Sequence, residues 1–142
     1  MQTSDPETLA VAVAAAALVV ALLKYASDRE TQLASNAVQL YRRFLELAVQ
    51  HPELAEPMPG DAVFEDRAVY RRYEWFVGVL LRACEALLEH RKNRTPKWEL
   101  AVAMQLRYHA RYLREDPWFT GQGGELVYSQ HLRRLVRKAL EE

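Results

Sequence analysis

Residues 9–23 read LAVAVAAAALVVALL, fifteen residues without a polar side-chain atom, and nothing later in the chain is like them. Four Leu, four Val and seven Ala make this run apolar all the way round. Such a helix suits lipid better than the surface of a small domain. At 1.5 Å per residue it spans about 22 Å, short of a hydrocarbon core of about 30 Å. Thr8, Lys24, Tyr25 and Ala26 extend it to about 28 Å, with Lys24 reaching back to the headgroups and Tyr25 at the interface. The Leu and Val residues favour insertion by roughly 2–4 kcal/mol. A membrane-spanning helix over 9–26 is therefore expected. The alternatives are a helix buried in a partner or in the domain, and a cleaved signal.

Charge argues against the signal. The first eight residues, MQTSDPET, carry Asp5 and Glu7 and no cation, whereas a secretory leader begins basic. All 19 Lys and Arg residues lie C-terminal to the run. By the positive-inside rule, residues 1–8 are expected outside and a domain of residues 27–142 in the cytoplasm. Cys84, the single cysteine, is compatible with a reducing compartment.

Residues 24–142 hold 19 basic and 17 acidic side chains, the other two acids lying upstream. That near balance is no nucleic-acid domain. Fifteen of the cations are Arg, which suits paired carboxylates. The patterning is helical throughout. Leu33, Ala37, Leu40, Phe44 and Leu47 repeat at spacings of 4,3,4,3, on a helix continuing from the apolar run and ending at His51-Pro52. The three-proline loop HPELAEPMPG follows, with room for one short turn. A second helix is expected from an Asp61 cap to about Arg91, seamed by Tyr73, Val77, Leu80, Cys84 and Leu87 and widened by Trp75, Phe76 and Leu81. Thr95-Pro96 starts a third, with Trp98, Val102, Leu106, His109 and Leu113 inward, and Asp116-Pro117 stops it. GQGG at 121–124 reads as a flexible joint. A last helix is expected over about 125–140, with Tyr128, Leu132, Leu135 and Ala139 inward. Its Arg133, Arg134, Arg137 and Lys138 fall in the final turns, where cations complement the dipole. The expected fold is all-α: a transmembrane helix followed by an antiparallel four-helix bundle.

Chemistry-bearing patterns are sparse. Glu-x-x-His, HExxH and CxxC are absent, and His51, His90, His109 and His131 stand alone, so no metal, cofactor or catalytic residue is assigned. His109 reads as a core histidine bonded to a neighbour, and Cys84 as an inert buried thiol. Trp75, Trp98, Trp118 and Phe119 fall on different elements; they either pack together as core or form an exposed aromatic groove for a partner helix or lipid. Arg107, Arg111 and Arg114, at i, i+4 and i+7, form an ion-paired face or an anion contact. Ala10, Ala14, Ala17 and Ala21 share one face of the apolar helix at spacings suited to close packing of membrane helices.

The phrase AVQHPELA at 48–55, followed by Trp75, Trp98 and Trp118-Phe119 behind a single N-terminal apolar helix, resembles a diffuse group of small bacterial proteins. These are single-pass, membrane-anchored helical proteins of unknown function. The resemblance implies a bacterial inner-membrane location and carries over no catalytic residue. The expected function is non-enzymatic: a membrane-anchored module for protein–protein interaction, either an accessory subunit of a membrane complex or a homo-oligomer. Its expected partners are the lipid bilayer and a membrane protein or a second copy, with no nucleic acid and no metal. The alternative is an enzyme or ligand sensor with a site inside the bundle near His109, Arg107 and Arg111. A membrane-disrupting effector built on the alanine stripe is a third reading.

Overall fold

A computed structural model of the chain describes residues 5–141. The expected outer segment 1–8 thus lies partly outside the described residues. These form eight α-helices and two 3-10 turns, with no strand among them, and the all-α class holds. Contacts divide the chain into two compact units, Met1–Leu33 and Ala34–Glu142.

The first helix, α1 (Pro6–Gln50), runs without a break through the apolar segment and past SDRETQ. It is long and apolar enough to cross a membrane, and no residue of its apolar window is buried within the chain. It stops before His51-Pro52 as expected, and Pro52–Ala55 forms the short turn α2.

The second unit is built around one apolar core. Its centre is α4 (Arg67–Glu89), whose Tyr73, Val77, Leu80, Cys84 and Leu87 are all fully buried. From the last part of α1 come Ala34, Ala37, Tyr41 and Phe44. This corrects the expected seam, since Leu33 and Leu40 are 41% and 44% exposed. The reason is what the adjoining row meets. Tyr41 sets its ring edge-on against Trp98, centroids 5.7 Å apart, Phe44 meets Phe76 at 5.3 Å, and Asn93 Nδ2 donates to the Ala34 carbonyl at 3.1 Å. The small Ala34 side chain leaves room for that approach.

Three expected helices depart from their expected bounds. The segment from Asp61 splits into α3 (Ala62–Glu65) and α4, because Asp66 turns extended and accepts from Ala68 N and Val69 N at 2.7 and 3.2 Å. An aspartate that caps the helix ahead ends the helix behind. The third divides into α5 (Pro96–Tyr108) and α6 (Ala110–Glu115) at His109. The last, α8 (Gln130–Glu141), begins five residues later than expected, after a 3-10 turn at Gly124–Val127. Between them, α7 (Pro117–Gly121) folds Phe119 into the core. α5 and α4 both pack on α8, and Tyr128, Leu132, Leu135 and Ala139 are inward as expected.

GQGG is a defined turn, not a loose joint. Gly123 is left-handed (φ 79°), and a Cβ on Gly124 would lie 2.6 Å from the Trp118 ring. The backbone at 123 favours glycine, and any larger residue at 124 must displace the Trp118 ring.

Candidate functional site

One buried and one half-buried polar pair tie α4 to the segments after it. Tyr73 Oη and His109 Nδ1 share a hydrogen bond of 2.8 Å in the core, as expected for a core histidine. Burial lowers the His109 pKa to about 4, so the ring is neutral at physiological pH, and its Nε2 has no partner among the described residues. Tyr70 Oη donates to Asp116 Oδ2 at 2.7 Å, while Asp116 Oδ1 caps α7 by accepting from Trp118 N and Phe119 N, both at 3.0 Å. Burial, and then the hydrogen bond to Asp116, raise the Tyr70 pKa. The Cys84 thiol is fully buried, as expected, and its pKa is raised by that burial.

A surface groove lies along α4. Trp75 is 75% exposed on α4, against the expectation that it widens the buried face. The core is already filled on that side by Phe76 and Val77, and the helical turn carries residue 75 outward. Three concavities, of about 560, 540 and 270 Å³, share Trp75 as a wall. One is rimmed by Arg67, Arg71 and Arg72. The second holds Trp118, Tyr112 and Tyr128 across from Gly78, whose missing side chain leaves open space. The third is mostly apolar, with Leu47, Leu54, Phe76 and Val79 beside His51 and Arg72. Glu74, at the edge of the second, has its pKa raised by desolvation and then by Asp116, with Arg71 opposing.

The four expected aromatic residues do not form one cluster. Trp75 and Trp118 share the groove, Trp118 being 43% exposed; Trp98 packs on Tyr41 elsewhere; Phe119 is buried between Tyr112 and Tyr128. The three arginines do not act as one face either. The break at His109 leaves Arg107 on α5 and the other two on α6. Arg111 lies 4.1 Å above the Phe64 ring and pairs with Glu115 at 3.2 Å, and Arg114 donates to the Leu140 carbonyl at 2.6 Å. Ala10, Ala14, Ala17 and Ala21 are exposed along α1. The groove's rim of Arg67, Arg71 and Arg72 escaped sequence reasoning. Its only signal was the RAVYRR stretch beside Trp75, which reads equally well as a solvated helix face. No group of three or more potential metal ligands occurs among the described residues.

No protein-family model, curated protein or solved structure matches the chain.

Proposed function

We propose that the protein is a non-enzymatic, single-pass membrane protein whose helical unit docks a partner protein in the Trp75 groove, as an accessory subunit of a membrane complex. The observation that carries this is the exposed indole of Trp75 at the meeting of three concavities. Covering most of an indole of 150–250 Å² at about 25 cal/mol per Å² is worth roughly 3–5 kcal/mol. The arginine rim selects the occupant: an apolar side chain flanked by carboxylates complements Trp75 between Arg67, Arg71 and Arg72. The apolar stretch of α1, with every side chain exposed, supports the membrane anchor. The cations downstream of it support an outer N-terminus and a cytoplasmic helical unit, and the resemblance carried by AVQHPELA and the tryptophans implies a bacterial inner membrane.

Purification of the tagged full-length protein from native membranes in mild detergent, beside a Trp75→Ala variant, tests the proposal. A stoichiometric partner retained by the wild type and lost by the variant is the expected result. A discrete homo-oligomer dispersed by Trp75→Ala would replace that partner with a second copy. Equal recovery in both proteins would overturn the groove as the docking site. A ligand or catalytic site near His109, Arg107 and Arg111 is the second reading, favoured by the unpartnered, buried Nε2 of His109. It predicts a small molecule that shifts the His109 imidazole resonances, and a ligand screen by NMR tests it.

A further inference from the structure

A second basin, sharing no residue with the groove, gathers positive charge. Arg94, His131, Arg133, Arg134 and Arg137 line one concavity of about 850 Å³ with Ser129 and Gln130, and the carboxylates at its edge, Glu85 on Ser129 and Glu99 beside His131, are outnumbered by its four guanidinium groups. Elementary electrostatics opposes that arrangement. The four basic residues of α8 recur at spacings of three and four, where like charges destabilise a helix. Because α8 begins only at Gln130, Arg133 and Arg134 lie in its first half, not its final turns, and no acidic residue occupies the first turn. The positive end of the helix dipole therefore adds to the guanidinium groups.

The groups are held and not merely adjacent. Arg94 Nε donates to the Leu88 carbonyl at 2.6 Å and Nη2 to the Glu89 carbonyl at 3.3 Å, which anchors the side chain and leaves its other N–H groups to the basin. Arg134 Nη2 lies 2.8 Å from His131 Nδ1. Glu99 Oε1 stands 3.0 Å from His131 Nε2 and so meets the basin at that residue. Arg133 Nε is buried with no hydrogen-bond partner among the described residues, a donor that folding leaves unmatched.

We propose that this basin binds a phosphate-bearing polyanion. Arginine presents planar, paired donors that fit phosphate oxygens, and four of them converge here from two segments. The volume lies within the range of small-molecule sites and exceeds the needs of one phosphate, so the ligand carries more than one anionic group or a phosphate on a larger body. A soluble oligophosphate and the headgroup of an anionic lipid share this chemistry.

The test is calorimetric titration of the full-length protein in neutral detergent at low ionic strength. One arm uses inorganic pyrophosphate and the other a soluble short-chain phosphatidic acid, each repeated with Arg137→Gln and with Arg133→Gln/Arg137→Gln. Arg137 is exposed, so its replacement leaves the fold intact, and a helical circular-dichroism spectrum checks the double variant. Expected is saturable binding at one site per chain, weakened roughly tenfold for each guanidinium removed. Binding of pyrophosphate assigns a soluble ligand, and binding of the lipid alone assigns a headgroup. Absence of binding in both arms, or affinity unchanged in both variants, would overturn the proposal.

Discussion

His109 shows how one side chain can set a pH response. Its pKa falls from 6.5 to about 4 because burial penalises the imidazolium. As pH drops through 6.5 the unfolded chain takes up a proton that the folded protein refuses until about pH 4. Stability is therefore full above 6.5 and declines by roughly 3 kcal/mol between those values. Denaturant titrations from pH 7 to about 4 should show a flatter slope for His109→Asn than for wild type; parallel slopes would contradict the assignment. Asp116 carries a comparable burden, since one buried carboxylate both caps α7 and accepts from Tyr70. Asp116→Ala should cost about 3 kcal/mol, from a cap of about 1 and a charged hydrogen bond of about 2. Asp116→Asn should lose clearly less, read as denaturation midpoints of the two variants side by side.

At the scale of elements, short polar signals decide where helices stop, and long-range packing decides which face they bury. Thr95-Pro96 and His51-Pro52 act through their own backbones, so their effect was legible in the sequence. Asp66 was not, because Asp61 is an equally good cap by residue type; in the folded chain Asp61 instead accepts from Met58 N. The turn before α8 depends on Gly124, whose place beneath the Trp118 ring no local pattern reveals. Gly124→Ala should push that ring outward and destabilise the protein by about 1–3 kcal/mol. A reduced near-ultraviolet tryptophan signal with unchanged helix content would bear this out, and an unchanged signal would not. The delayed start of α8 has the larger consequence. It sets Arg133 and Arg134 in the first half of α8, whose first turn carries no carboxylate to offset them.

At the scale of the whole molecule, the apolar stretch of α1 makes a claim that one substitution can break. Val19→Arg exchanges a residue that favours insertion for one opposing it by about 3 kcal/mol, close to the entire 2–4 kcal/mol available. The variant should move from the carbonate-resistant membrane pellet to the supernatant, whereas its retention in the pellet would exclude the spanning reading. That stretch, the all-α class, the helix stops at His51 and Asp116, and the buried row from Tyr73 to Leu87 were all determined by the sequence alone. Each is written in local periodicity or in the conformational limits of one or two residues, which act before distant parts of the chain meet. Only the tertiary structure turned Ala34 and Tyr41 inward in place of Leu33 and Leu40, left Trp75 outside, parted Trp98 from Trp118, and brought Arg94 to α8. Those outcomes depend on which side chains meet across the core. A helix carrying two plausible apolar rows buries the one its neighbours can fill.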